Sequence, residues 1–146
     1  KGPDQFFEII KNLNLKQENL LVLLTGKRRQ YIIEKLKEEE IDFLYFEMVD
    51  FNLLNKLYNC LDLYIVASRV EGGPASLMEC ASIKIPIIST NVGIATKILN
   101  NTSIFNMTNF ESAKPDVETA YKNSLKYKMP EGFDKYIKMF NEIYEN

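Results

Sequence analysis

Short apolar runs alternate along this chain with longer amphipathic stretches, and this alternation limits the folds that the chain can adopt. Runs such as residues 20–24 and 63–67 are apolar throughout, which is typical of strands buried on both faces of a sheet. The stretches between them place apolar residues at helical spacing. The pattern predicts an α/β fold, a Rossmann-like parallel sheet with helices on both faces.

The predicted elements follow directly from these runs and from their turn signals. Strands are expected at residues 20–24, 43–48, 63–67 and 86–89, with an edge strand at 104–107. Helices are expected at residues 4–13, 28–40, 52–60, 74–83, 116–126 and 133–144, with a short helix between Gly93 and Leu99. Asp4 is the predicted N-cap of the first helix.

A Gly-Gly-Pro turn between the third strand and its helix is the strongest candidate for a site. Gly72 and Gly73 let a ligand approach the backbone. Gly73 is the predicted N-cap and Pro74 the first helical residue. The amides of Ala75 and Ser76, the first after the proline, would then be free to bind a phosphate.

Two glutamates bracket this turn. Glu71 precedes the helix, and Glu79 lies in it, with a side chain expected to lean back toward the helix start. Carboxylates accept hydrogen bonds from sugar hydroxyls, so the arrangement suits an anion that carries sugars, such as a sugar nucleotide. The alternative at this point is an exposed helical glutamate beside an ordinary loop.

Composition narrows the possible functions. The net charge is −2, with 18 basic and 20 acidic residues, and a general nucleic-acid binder normally shows a basic surplus. The chain has two cysteines and no histidine, which excludes a histidine base and disfavours a Cys/His zinc site. Cys60 and Cys80 are expected to be buried small hydrophobes. No apolar run is long enough to span a membrane, and a cytoplasmic setting is favoured.

Several segments together resemble the retaining GT-B glycosyltransferases of family four (group one). Glu71 and Glu79 have the spacing of the family's E-x7-E motif. Residues 57–68 resemble its "LY…aD…vxPS" segment, residues 79–90 its "EAMAxGxPVVxT" segment, and residues 91–95 its next glycine turn. Lys1-Gly2 resembles the end of its "GRxxxxKG" element. The likeness runs from Lys1 to about Leu99.

The resemblance implies roles for individual residues. Glu71 would be the catalytic carboxylate near the hydroxyls of the donor sugar, and Glu79 would bind the ribose. The donor's diphosphate would be held by Lys1 and by the turn residues Gly72, Gly73, Ala75 and Ser76. The family transfers sugar with retained anomeric configuration and usually needs no metal or other cofactor. Cys80, Ile83-Lys84 and Lys97 depart from the family pattern.

The resemblance also implies a domain organisation. Residues 1–146 would be a single C-terminal nucleotide-sugar-binding domain, one half of a GT-B fold. Its partners would be a nucleotide sugar and an N-terminal acceptor-binding half of the same protein, through which any peripheral membrane contact would be made. Without that half the domain would have weak activity at most. A non-catalytic nucleotide-sugar-binding module and a GT-B sugar-nucleotide epimerase remain alternatives, as do UDP, GDP and ADP as the nucleotide.

Two groups of basic residues leave choices open. Lys27-Arg28-Arg29 follows a predicted strand, and we expect a solvated basic surface there rather than a site for an anion. Arg69 is close in sequence to Glu71, and pairing with Glu71 or contact with the ligand are equally favoured.

Overall fold

A computed structural model describes residues 1–145, except for the side chains of Glu131 and Lys135; Asn146, the last residue of the predicted domain, lies outside the described residues. The described residues form five strands and seven α-helices, joined in places by single 3-10 turns. The strands are β1 (Val22–Thr25), β2 (Phe43–Phe46), β3 (Tyr64–Val66), β4 (Ile87–Thr90) and β5 (Ile104–Phe105). The helices are α1 (Pro3–Lys16), α2 (Gln30–Glu38), α3 (Phe51–Asn59), α4 (Ala75–Ser82), α5 (Ala95–Ile98), α6 (Val117–Ser124) and α7 (Asp134–Tyr144).

All strand pairs are parallel, as the apolar runs predict. β1 pairs with β2, and β4 lies between β3 and β5. The strands therefore form two groups, and within the described residues no ladder joins β1 to β3. The Rossmann-like α/β fold predicted from the sequence is confirmed, with parallel strands flanked by helices.

Neighbouring residues of β4 show that helices cover both faces of the three-stranded sheet. Ile87 packs into a cluster built from α4, α5 and α6, whereas Ile88 packs with Ile9 of α1. Successive side chains of a strand point to opposite faces, so these two contacts lie on opposite sides. Each face is thereby removed from water, which explains why the strand reads as continuously apolar.

Helix α1 joins the two groups of strands. Its Phe7 and Ile10 pack into a cluster with Val22 and Leu24 of β1. Its Ile9, only 1% exposed, packs instead against Ile88 of β4 in the other group. One helix therefore contributes to the cores on both sides of the unpaired gap.

Three local expectations were wrong. Asp4 is not the N-cap of α1, because Gly2 takes that position with φ 69° and the helix begins at Pro3. α2 begins at Gln30 rather than at residue 28, because Arg28 has φ 62°, which is incompatible with a helix. Cys60 is exposed, since it follows the last residue of α3, whereas Cys80 is fully buried as predicted.

Candidate functional site: a cleft at the start of helix α4

A cleft of about 540 Å³ opens between the end of β1, the end of β3 and the first turn of α4. In parallel α/β sheets, ligands bind beyond the carboxyl ends of the strands, where neighbouring strands diverge. The residues that line the cleft include six of the seven predicted site residues: Lys1, Glu71, Gly73, Ala75, Ser76 and Glu79. Gly72 is not among them, although it is exposed and lies in the same loop.

The first turn of α4 differs slightly from the prediction. Pro74, not Gly73, is the N-cap, with extended backbone (φ −67°, ψ 112°), and the helix begins at Ala75. The carbonyl of Pro74 accepts from the amide of Leu77 at 3.1 Å. The amides of Ala75 and Ser76 precede the first helical hydrogen bond, so they keep the partial positive charge of a helix start.

Ser76 is oriented by a tyrosine from the neighbouring strand. The hydroxyl of Tyr64 donates to Ser76 Oγ at 2.6 Å, and burial raises the pKa of Tyr64 above its usual value. A serine hydroxyl that accepts from a phenol still has its own proton to donate. Ser76 can therefore offer both its amide and its hydroxyl proton to an anion in the cleft.

Glu79 is held by Tyr58 of α3. The Tyr58 hydroxyl donates to Glu79 Oε2 at 2.8 Å. Burial raises the pKa of Tyr58, and the bond to Glu79 raises it further, so the phenol remains the donor. The rings of Tyr58 and Tyr64 meet edge to face, 6.1 Å apart. One carboxylate oxygen is thus engaged by the protein, and Oε1 has no hydrogen-bond partner among the described residues, so the carboxylate can accept further hydrogen bonds.

Glu71 is half-buried and ionised. Lys1 donates to its Oε1, and this pairing, opposed by partial burial and helped by Ser68, lowers the pKa of the Glu71 carboxyl. The second oxygen, Oε2, is inaccessible to water and has no hydrogen-bond partner among the described residues. A buried acceptor without a partner is costly. Because Oε2 is covered by protein, a ligand in the cleft would have to contact Oε1, the oxygen that Lys1 engages.

The loop that carries Glu71 is fixed from three directions. Arg69 pairs with Asp4 of α1 through both terminal guanidinium nitrogens, so the expected pairing with Glu71 is not observed. Thr90 donates to the carbonyl of Ser68 at 2.7 Å. Behind the loop, Gly93 lies so close that a Cβ there would be 2.6 Å from the carbonyl oxygen of Gly72.

Sequence reasoning missed two cationic residues of the cleft. Arg28 and Arg29 line it, whereas Lys27 does not. Lys27 and Arg28 are exposed, as expected, and Arg29 is half-buried. Their position just after β1 was the available signal, since that strand's carboxyl end faces the same cleft as β3.

Comparison with known protein families identifies the class of the chain. Residues 1–139 match the family model described as glycosyl transferases group 1. The chain belongs to this family, and the match supports a role in glycosyl transfer. No curated protein sequence matches the chain significantly.

Neither a metal-binding cluster nor a membrane-spanning helix is found in the described residues. Residues 1–145 contain no group of three or more Cys, Asp or Glu side chains arranged to hold a metal ion. Over the same residues, no helix combines the length and the apolar character that crossing a membrane requires.

Proposed function

We propose that this chain is the donor-binding domain of a retaining glycosyltransferase of family four, and that its cleft holds a nucleotide-diphosphate sugar. The observation that carries the proposal is that Glu71, Glu79 and the first turn of α4 line one cleft. Seven residues, which include the Gly-Gly-Pro turn, separate the two glutamates in sequence, and both side chains nevertheless border the same space.

Glu79 is the proposed ligand of the ribose. Its two oxygens, of which Oε2 already accepts from Tyr58, form a two-oxygen acceptor in a residue that lines the cleft, and a ribose presents a pair of neighbouring hydroxyls. Tyr58 supports this role, because a carboxylate already oriented by a hydrogen bond loses less freedom on binding.

The diphosphate is proposed to bind at the first turn of α4. The amides of Ala75 and Ser76 and the Ser76 hydroxyl all offer protons there, and the helix dipole favours an anion. During transfer, negative charge grows on the departing diphosphate. Donors fixed beforehand stabilise that charge without reorganising, which lowers the barrier, provided that they bind the transition state better than the ground state.

The glycines of the turn favour a ligand over a purely structural role. A Cβ on Gly72 would meet nothing within 4 Å, and neither Gly72 nor Gly73 has a positive φ. The backbone therefore does not require glycine at these two positions, whereas a diphosphate that must contact their amides does.

Glu71 is the proposed catalytic carboxylate, near the donor sugar. Its Oε1, which now accepts from Lys1, could accept from a sugar hydroxyl instead. Lys1, 73% exposed at its side chain, could then turn from Glu71 to the phosphates. The same proposal includes a reaction that retains the anomeric configuration and needs no metal. It also includes an acceptor-binding N-terminal half, membrane contact through that half and a cytoplasmic setting.

Binding of nucleotides to this chain tests the proposal. UDP, GDP and ADP, and the corresponding nucleotide sugars, are titrated by calorimetry or by NMR into the millimolar range. Glu79→Ala is expected to weaken binding of the preferred nucleoside diphosphate by about tenfold, as expected for the loss of hydrogen bonds to a charged group. Glu71→Ala is expected to affect the nucleotide sugar more than the bare nucleotide.

Glu111→Ala is the matched control, since Glu111 is a surface carboxylate paired with Lys16 outside the cleft. It should bind as the wild type does. The proposal is wrong if no nucleotide binds to the wild type, or if all three variants bind with equal affinity. In a protein that carries both halves, Glu71→Ala should reduce transfer more than nucleotide binding.

A further inference from the structure

Two arginines from the loop between β1 and α2 belong to the lining of the cleft, as does the start of α4. Arg28 and Arg29 both line the cleft. Arg29 is anchored, because its Nε donates to the carbonyl of Thr25 at 2.8 Å. That bond uses one of the five N–H groups of the guanidinium, and the terminal nitrogens remain available as a planar fork.

Arg29 lies around the same cleft as the first turn of α4. Arg29, Tyr64 and Ser76 all line it, and Tyr64 donates to Ser76. Burial is the largest influence on the pKa of Tyr64 and raises it, while the positive charge of Arg29 acts in the opposite direction. The loop after β1 and the residue that offers its amide and hydroxyl at the helix start therefore border one space.

Arg28 is held in a conformation that arginine rarely adopts. Its φ is 62°, in the left-handed region that is unfavourable for residues with a Cβ. Within residues 1–145 its guanidinium has no recorded carboxylate partner or hydrogen bond. An exposed, unpaired arginine in a strained turn is available to a ligand.

The cleft is more positive than the chain as a whole. Its charged lining residues are Lys1, Arg28, Arg29, Glu71 and Glu79. Lys1 and Glu71 neutralise each other, so the two arginines outweigh the remaining Glu79 by one positive charge. The whole chain carries −2, and this local surplus attracts anions.

We propose that Arg28 and Arg29, together with the first turn of α4, bind the diphosphate of the donor, and that they make the cleft select nucleoside diphosphates over monophosphates. Arginine matches phosphate oxygens with two parallel hydrogen bonds. The inference rests on the proposed function, and it adds two ligand residues that neither the motif nor the family match identifies.

The test uses inorganic pyrophosphate, UDP, UMP and uridine (or the base that the wild type prefers) as probes of Arg28→Gln and Arg29→Gln. Each variant is expected to bind pyrophosphate and the nucleoside diphosphate about tenfold more weakly. Affinity for the nucleoside should not change, because it has no phosphate for the arginines to contact. The preference for the diphosphate over the monophosphate should shrink, because the arginines are proposed to create that preference. The salt dependence of pyrophosphate binding should also become shallower.

Lys27→Gln is the matched control for charge. Lys27 precedes Arg28 directly but does not line the cleft. It removes the same formal charge, so its affinity for pyrophosphate should change by less than about twofold if only screened long-range attraction is lost. Equal losses in Lys27→Gln and in the arginine variants would overturn the proposal.

Arg28→Gly separates binding from folding. Glycine adopts a positive φ without strain, so this variant should unfold at a higher temperature while binding pyrophosphate more weakly. Glu40→Gly is its control, because Glu40 also has a positive φ, 54°, and lies outside the cleft. It should gain stability and keep wild-type affinity.

The outcomes also distinguish this inference from the proposed function. If nucleotide sugars bind to the wild type and to both arginine variants alike, the inference is wrong and the proposed function stands. If pyrophosphate binds through the arginines but a nucleoside adds no affinity, the proposed function is wrong and the anion site stands. If neither pyrophosphate nor any nucleotide binds to the wild type, both are wrong.

Discussion

The hydroxyl of Tyr58 donates to Glu79 Oε2 at 2.8 Å, and this bond joins α3 to α4 across 21 residues of sequence. Glu79 Oε2 is thus engaged by the protein, whereas Oε1 has no hydrogen-bond partner among the described residues. The carboxylate proposed to bind ribose is thus oriented before any ligand arrives.

Tyr58→Phe is expected to weaken nucleoside diphosphate binding by about three- to tenfold, because the carboxylate then has to be ordered on binding. Calorimetric titration of the nucleotide that the wild type prefers measures the change. Tyr121→Phe is the control, since the Tyr121 ring contacts Lys84 away from the cleft. Affinity unchanged in Tyr58→Phe would remove the orienting role of the phenol.

Glu71 should make folding stability depend on pH in the acidic range. Its pKa is lowered in the folded chain, chiefly by Lys1. A lowered folded pKa stabilises the fold above the unfolded value, about 4.3 for glutamate, and this contribution is lost as the pH falls through the folded pKa. Wild type should therefore be more stable than Glu71→Gln near neutrality, and the difference should close below pH about 4.

Urea denaturation at a series of pH values measures this difference. The same comparison in a Lys1→Met variant tests the ion pair, because Lys1 donates a hydrogen bond to Glu71 and methionine cannot. On that background the pH-dependent effect of Glu71→Gln should be smaller. An equal effect on both backgrounds would mean that Lys1 is not its cause.

Gly93→Ala should destabilise the loop that carries Glu71. Gly93 has φ 50°, and its Cβ would approach the carbonyl oxygens of Gly72 and Glu71 to 2.6 Å and 2.9 Å. We expect a loss of more than about 1 kcal/mol in the free energy of unfolding, together with weaker binding of the nucleotide sugar. Thermal and chemical denaturation report the first effect, and titration reports the second.

Gly72→Ala is the informative comparison. Its Cβ would enter open space, so stability should change by less than about 0.5 kcal/mol. Gly72 lies in the loop beside the cleft rather than in its lining, but its amide is among the proposed ligands of the diphosphate, so a methyl group there should lower the affinity for a nucleoside diphosphate. Unchanged affinity in Gly72→Ala would count against a ligand at this turn.

Leu77 should anchor α4 and thereby the helix start. It is fully buried, at 0% exposure, in the cluster that includes Ile87 and Ile98. Leu77→Ala is expected to cost about 2–5 kcal/mol of unfolding free energy, measured by denaturant titration. Leu21→Ala is the control, because Leu21 is 54% exposed, and it should change the free energy of unfolding by less than about 1 kcal/mol. Equal losses in the two variants would contradict the anchoring role of Leu77.

The sequence predicted the alternation of elements because each strand is apolar on both faces, as Ile87 and Ile88 show. It also predicted Glu71 and Glu79 at one cleft, because strand end, turn and helix start are contiguous in the chain. The partners of these residues could not be read in the same way. Tyr58 reaches Glu79 from another helix, and Asp4 reaches Arg69 across 65 residues.

The errors have a similar origin. The sequence pattern of α2 gave no sign that the helix stops short of Arg28. The backbone of Arg28 is in the left-handed region, and the spacing of apolar residues does not reveal such a conformation. Cys60 has apolar neighbours in sequence, yet it falls at the end of α3 where the chain meets water. Local sequence patterns predict the presence of a helix or strand more reliably than they predict its first and last residues.

The unpaired gap between β1 and β3 has a mechanical consequence. Within the described residues no backbone ladder crosses it, and α1 contributes side chains to the cores on both sides. Side-chain packing, through α1 and through Ile65 of β3, therefore holds the two groups of strands together where backbone hydrogen bonds do not. Packed side chains allow small shear movements, so we expect the cleft to adjust its width without loss of a hydrogen bond within either sheet.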